Sequence, residues 1–441
     1  MDRLNLYLIS WNCARIPWVT SAFTDHILDG IPGDCPTPDI LILSLQEAAP
    51  LSYAFLGARY LDPYIHAYIT AIQNATCSVL REDFSLVGRN NVGMTVVLVF
   101  VKGVNLDKIK YVDYAGVGCG LWNMGNKAGV GIKIGYELPQ REDTDLDASI
   151  VELTFVGVHL APHEWNVERR NQDWEAIVRG LVFEKEQKLQ DENDLQQPLL
   201  EGETELENPI TNTRSVGLYS PHSHTFLMGD LNYRTALNRP TQRDCRQFPQ
   251  PSDGLNHISK LFKGDQCHLE RQANRTLHGF IEAKINFPPS YKYKIKNNRN
   301  HDSTQWEWAT NRWPSWTDRI LYLPLDSRKY PKDSIFVHRY ILIPEIWDSD
   351  HKPVVCYLSI PAKPICTRND TSPGGHILLP GDIRLHSPFP INKDWKERRA
   401  VARAREFGVG ILAFLTTTAT GLGILIGVIG GSLTLWWLLA G

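Results

Sequence analysis

The sequence predicts a mixed α/β domain rich in β-structure, followed by one C-terminal membrane-spanning helix. Three observations carry that expectation. Seven short apolar runs are bounded by turn residues, one run has helical period with a single apolar face, and no charged residue occurs from 407 to the end.

Composition sets the bounds. With 441 residues, 43% of them hydrophobic, the chain can bury a core of its own. A net charge of −3 gives no bulk field for a polyanion, so no nucleic-acid partner is expected and any recognition of phosphate must be local. The eight cysteines are scattered without a CxxC pair or zinc-like spacing, which fits free thiols in a reduced compartment. Met1 to Leu8 carries Asp2 and Arg3, and its apolar run is too short for a secretory signal.

Along the chain the strand candidates are Leu4–Ser10, Asp39–Leu45, Met94–Val101, Val151–Val158, Thr225–Met228, Arg319–Leu323 and Pro353–Ile360. The clearest helix is Val167–Phe183, with Trp174, Ile177, Val178, Leu181 and Val182 on one face. The acidic, Gln-rich stretch Glu184–Ser215 reads as a partly disordered surface insertion. The proline-rich stretch Pro361–Pro390 reads as a linker or a loosely packed extension, giving a main domain over 1–362, a linker with a basic juxtamembrane segment over 363–406, and an anchor over 407–441. The anchor exceeds the ~20 apolar residues that a spanning helix needs and has no polar face. Lys393, Lys396, Arg398, Arg399, Arg403 and Arg405 precede it, which by the positive-inside rule puts the main domain in the cytosol. Moderate hydrophobicity and a short far end fit the endoplasmic reticulum. Ala419, Gly423, Gly427 and Gly431 recur every four residues, the spacing that lets two helices approach, so a weak homodimer through the span is a further expectation.

The strand tips share a chemistry. The first run ends on Trp11-Asn12, the second on Gln46-Glu47, the fourth on His159 and the fifth on Asp230 and Asn232, while Asp350-His351 precedes the last. Singly, each has a structural explanation: a turn cap, a helix start, a satisfied histidine. Together, oxygen ligands, a carboxylate base and two histidines are what metal-assisted phosphate hydrolysis requires.

The sequence resembles the inositol polyphosphate 5-phosphatases of the endonuclease/exonuclease/phosphatase superfamily. The matching blocks include SWN (10–12), SLQE (44–47), GNKAGVGI (125–132), FVGVHLAPH (155–163), GDLNYR (229–234), FPPSYKY (287–293), RWPSWTDRIL (312–321) and SDHKPV (349–354). The departures, NKAGV and PPSYK among them, remove no chemical group. The resemblance implies a four-layer α/β sandwich with two mixed β-sheets (DNase I-like). It implies Mg2+ held by Glu47 with Asn12, Asp230 as base and Asn232 orienting the water. His351 and His159 would meet the scissile phosphate, Asp318 would fix the tautomer of His351, and Asp350 would support the metal or that histidine. Tyr291 and Lys292 would contact the neighbouring phosphate, with Lys127 and Arg312 as further cations; Lys294 and Lys296 would face lipid headgroups. Anchoring favours a lipid over a soluble substrate. The expected reaction is therefore removal of the 5-phosphate of phosphatidylinositol 4,5-bisphosphate at a cytosolic membrane face. Two other readings stay open, a catalytically silent phosphoinositide-binding tether and a nuclease or sphingomyelinase of the same superfamily. Trp122 fits either a membrane-inserting tip or a core aromatic.

Overall fold

The computed structural model describes residues 3–16, 19–138, 150–184, 215–250, 259–295, 307–325, 334–367 and 375–440. The acidic stretch read as an insertion, apart from its two ends, lies outside these residues, as does Lys296.

Fifteen strands are defined among the described residues. They are β1 (Arg3–Asn12), β2 (Ile40–Gln46), β3 (Phe84–Val92), β4 (Thr95–Lys102), β5 (Ile109–Gly118), β6 (Ala128–Glu137) and β7 (Ile150–His159). The short pair β8 (Phe183–Glu184) and β9 (Ser215–Val216) follows, then β10 (Ser223–Asp230), β11 (Asp318–Tyr322), β12 (Phe336–Leu342), β13 (Val354–Pro361), β14 (Ile365–Cys366) and β15 (His376–Ile377). The helices used below are α1 (Ser21–His26), α2 (Leu51–Leu56), α3 (Asp62–Ala75), α4 (Val167–Gly180), α5 (Gln242–Cys245), α6 (Gln266–Gln272), α7 (Trp395–Thr417) and α8 (Ala419–Ala440).

Two sheets dominate. The first runs β12-β13-β1-β2-β4-β3 and the second β11-β10-β7-β6-β5. Each is mixed, because β1 pairs with β2 and β7 with β10 in parallel while their other neighbours are antiparallel. Period-two alternation assigns the faces. In β1, Leu6 and Leu8 turn toward the second sheet, where Ile132, Leu153, Phe155 and Met228 complete the shared core. Tyr7 and Ile9, between them in sequence, face the opposite way and pack with Phe23 of α1 and Ile65 and Ile72 of α3. On the outer side of the second sheet, Val156 and Val158 meet Trp174, Ile177 and Val178 of α4. Helices, sheet, sheet and helix make the expected four-layer sandwich.

The structure adds strands that periodicity did not reveal. In β6, Gly129, Gly131 and Gly135 depress strand propensity, but each leaves space for a neighbour. A Cβ on Gly129 would lie 2.9 Å from Ile177 Cγ2, and one on Gly131 would lie 2.6 Å from Phe183 Cζ. The α4 helix stops at Gly180 instead of Phe183, because Phe183 leaves to pair with Val216.

The stretch from Pro361 differs from a loose linker. Arg384 is buried and donates to the Ser223, Leu323 and Pro324 carbonyls, which ties the segment to the ends of β10 and β11. The helix α7 then lies on α2, with Phe414 against Tyr53 and Tyr60. The chain breaks helical conformation at Thr418 and continues as α8, in which Ala419–Leu439 is long and apolar enough to cross a membrane and is largely exposed.

The sheet-to-sheet spacing is set at Gly157 of β7, where a Cβ would meet Val97 Cγ2 at 2.5 Å and Ser44 Oγ at 2.7 Å. Gly157→Val is expected to overpack this seam and destabilise the domain by about 1–3 kcal/mol, read as a lower midpoint of guanidinium unfolding.

Candidate active site

Register aligns the tips of the second sheet. Asp318 of β11 lies opposite Asp230 of β10, Asp230 opposite His159 of β7, and His159 opposite Ala128 of β6, which follows Lys127. The first sheet contributes Asn12 and Gln46, paired across β1 and β2, and the turn Ser349–His351 that leads into β13. Both sets of tips open on one solvent-connected cavity.

Asp230 sits at its floor. Its Oδ2 accepts from Asn12 Nδ2 at 2.9 Å and Asn232 Nδ2 at 3.0 Å, and lies 3.4 Å from His159 Nε2; its Oδ1 accepts from the Asn232 backbone N–H at 3.0 Å. Burial would raise this carboxyl, but the His159 hydrogen bond and the charges of His351 and Lys127 prevail and hold it well below the usual carboxylate range. Asp230 is therefore a fixed anion. Behind it, His351 Nδ1 meets Asp318 Oδ2 at 2.8 Å, and the same oxygen accepts from Ser290 Oγ and Thr317 Oγ1. Burial alone would lower the imidazole, yet the Asp318 and Asp230 carboxylates push it up to about 10. Burial also pushes Asp318 up against the pull of the imidazolium. With three donors converging on one oxygen of Asp318, the shared proton rests on His351. His159 is the opposite case: burial and the Lys127 cation push it below its ordinary value, so it is neutral. Lys127 Nζ contacts His159 Nε2, and burial pulls its own pKa down against the attraction of Asp230 and Glu47.

Glu47 stands across the cavity with Oε2 3.0 Å from Arg15 Nε. Four residues lining this cavity, Ala14, Arg15, Glu47 and Asn232, have left-handed φ between 49° and 63°. Each costs on the order of 1 kcal/mol or more, a strain that gathers where side chains must be aimed. Hard oxygen donors on the two sheets' tips fit a divalent cation of the Mg2+ or Ca2+ type better than a soft metal. Asp230, Asp318 and His351 also bring possible ligand atoms within 4.8 Å of one another. There the proton on His351 competes with a metal, whereas Glu47 is free of that competition. Asn12 spends Nδ2 on Asp230 and Oδ1 on the Ala14 N–H.

The cation rim differs from expectation in detail. Tyr291 packs on His351 with ring centroids 4.4 Å apart, and Lys292 Nζ pairs with Asp350 Oδ2 at 3.2 Å; all four residues line the cavity. Asp350 thus faces Lys292. Arg312 does not line the cavity: it turns to His163 Nδ1 at 3.1 Å and toward Glu164 Oε2 at 3.8 Å. Lys294 pairs with Glu307. Trp122 is exposed on a left-handed turn.

Arg234 supplies the cation that sequence reasoning left without a role. It is buried, lines the cavity and lies 4.4 Å over the Tyr291 ring, with Nε and Nη2 on Asn232 and no partner for Nη1. No carboxylate pairs with it among the described residues. A buried guanidinium with an idle N–H beside a cavity is a site for an anion. Its signal was its place in GDLNYR, two residues beyond Asn232.

Residues 9–357 match the model of Endonuclease/Exonuclease/phosphatase family 2. The chain is 29% identical over 72% of its length to the polyphosphatidylinositol phosphatase INP53 of Saccharomyces cerevisiae. It is 25% identical over 80% to the human phosphatidylinositol 3,4,5-trisphosphate 5-phosphatase 2 and 27% over 81% to the type II inositol polyphosphate 5-phosphatase 14 of Arabidopsis thaliana. The chain spans only 23%, 24% and 30% of those relatives' own lengths. In fold it is similar to the inositol polyphosphate 5-phosphatase domain of SPsynaptojanin, crystallised with inositol (1,4)-bisphosphate and a calcium ion, with a TM-score of 0.57 at 21% identity over 92% of this chain and 90% of that one.

Asp318→Asn is expected to drop the His351 pKa from about 10 toward the ordinary imidazole range, because the largest of its carboxylate attractions is lost. An NMR titration of the His351 ring reads this directly.

Proposed function

The chain belongs to endonuclease/exonuclease/phosphatase family 2, with inositol polyphosphate 5-phosphatases as its relatives, and from that membership we propose that it is a Mg2+-dependent phosphoinositide 5-phosphatase. Its substrate is phosphatidylinositol 4,5-bisphosphate and its products are phosphatidylinositol 4-phosphate and inorganic phosphate. The observation that carries this reading is one cavity that combines a fixed carboxylate, an imidazolium and a buried guanidinium with an idle donor.

In the reaction, a water oxygen forms a bond to phosphorus as the bond from phosphorus to the ring oxygen at position 5 breaks. Asp230 accepts a proton of that water. Asn232, bridging the Leu160 carbonyl and Asp230 Oδ2, fixes the rotamer of that carboxylate and orients the water. A carboxylate held ionised is a weak base, so it acts on a water already made acidic. Glu47 with Asn12 would hold Mg2+, which would supply that acidity and offset negative charge on the phosphate. The His351 imidazolium, with Lys127 and Arg234, balances the charge on the equatorial oxygens, and neutral His159 contacts the same group. The ring oxygen leaves as a hydroxyl, taking its proton from solvent. Tyr291 and Lys292 receive the phosphate beside the one removed, with Asp350 holding the Lys292 head at the rim until it is engaged.

The apolar helix Ala419–Leu439 supports a lipid substrate, since a tether raises the effective concentration of headgroups and does nothing for soluble ones. The cations before it favour a cytosolic catalytic domain, and the endoplasmic reticulum is the proposed membrane.

The full chain on vesicles of phosphatidylinositol 4,5-bisphosphate should release phosphate with Mg2+ and not with chelator, and should do so faster than from soluble inositol 1,4,5-trisphosphate. Asp230→Asn should cut turnover by about 10²-fold or more while vesicle binding persists. Binding without release from either substrate would instead indicate a silent tether. Arg234→Ala, which removes a charge-assisted contact worth about 1.5–3 kcal/mol, should lower kcat/KM by about tenfold or more.

A further inference from the structure

Glu406 is the last charged residue before the apolar run, where a solvated side chain is the ordinary outcome, yet it is fully buried. Its Oε1 accepts the Gly125 backbone N–H at 2.8 Å. Arg399 donates to Glu406 at 2.8 Å and Arg403 at 3.3 Å, so the buried charge is paired from its own helix. Arg403 also donates to the Phe55 carbonyl at 2.6 Å, at the carbonyl end of α2, where a cation is favoured. Arg405 reaches the Trp122 carbonyl at 3.4 Å. One turn further on, α7 comes so close to α2 that a Cβ on Gly410 would lie 3.0 Å from Phe55 Cβ.

Two paths lead from Gly125 to the cavity. Its carbonyl accepts the Met94 N–H at 3.1 Å, and the Met94 carbonyl accepts the N–H of Ala48, next to Glu47, at 3.0 Å. Along the chain, Gly125 stands two residues before Lys127, whose carbonyl closes the loop by accepting the N–H groups of Cys119 and Gly120 and whose Nζ meets His159. The Gly125 peptide has no slack, since a Cβ there would lie 2.7 Å from the Gly93 nitrogen.

We propose that Glu406 is a positioning residue. By docking on Gly125, α7, the helix that leads into the apolar span, holds the 118–127 loop and the Glu47 turn in register. The segment that joins domain and span is thereby a working part of the cavity's frame as well as a connector. For turnover this rests on the phosphatase reading; for loop order it stands on geometry alone.

The test uses the full chain in detergent with soluble inositol 1,4,5-trisphosphate, which removes access to lipid as a variable. Glu406→Ala should lower kcat by about tenfold or more with KM within about twofold, as a displaced reacting geometry does. It should also speed amide hydrogen exchange within 118–127. Glu406→Gln keeps an oxygen for the Gly125 N–H and should restore both. Gly410→Leu, which pushes α7 off Phe55 without touching Glu406, should reproduce the Glu406→Ala result, while Glu397→Gln, exposed on the same helix, should match the parent. Parental turnover or unchanged exchange in Glu406→Ala, or a Gln variant as impaired as the Ala variant, overturns the proposal. If the parent releases no phosphate from inositol 1,4,5-trisphosphate or from phosphatidylinositol 4,5-bisphosphate vesicles, the phosphatase reading fails, and the exchange of 118–127 alone decides the role of Glu406.

Discussion

The hydrogen bond from Asn12 Nδ2 to Asp230 Oδ2, 2.9 Å long, joins the tip of one sheet to the tip of the other, and the site exists because those tips meet. Its donor ends β1 and its acceptor ends β10, strands 218 residues apart in sequence that belong to different sheets. Each sheet reaches that point through its own helical layer, and the shared core between them fixes their separation. Register then carries the remaining groups to the same level. A slip of one residue in β7 or β10 would turn His159 or Asp230 to the opposite face of its sheet.

Around this contact the charges are sorted by what they touch. The carboxylates around His351, Asp318 foremost, keep its imidazole protonated, while burial and a facing lysine keep that of His159 neutral. Asp230 remains ionised despite complete burial. Arg234 lacks a carboxylate partner among the described residues, and its idle donor beside the cavity is a cost that an incoming anion repairs. A phosphate ester carries the charge that this arrangement lacks.

The residues at the strand tips were legible in the sequence because an apolar run that stops on an acid, an amide or a histidine marks both a strand end and a chemistry. Asn12, Glu47, His159, Asp230 and His351 all emerge on one cavity for that reason. The strand β6 was not legible, since its glycines answer to Ile177 and Phe183, which are remote in sequence. Arg312 reads as a rim cation within its motif, but Glu164 and His163, brought near by folding, take its side chain. The docking of α7 was hidden for a related reason. A glutamate among arginines reads as a solvated juxtamembrane face, and only the fold brings the Gly125 N–H to it.

In the proposed reading the anchor and the cavity are parts of one frame, because the apolar C-terminal helix follows a helix that contacts the loop bearing Lys127. The most direct measurement is the identity of the lipid left behind. After the full chain acts on phosphatidylinositol 4,5-bisphosphate in vesicles with Mg2+, the lipids are deacylated and the headgroups separated by ion exchange. The account predicts the 4-phosphate isomer alone; the 5-phosphate isomer, or bisphosphate left intact, would contradict it.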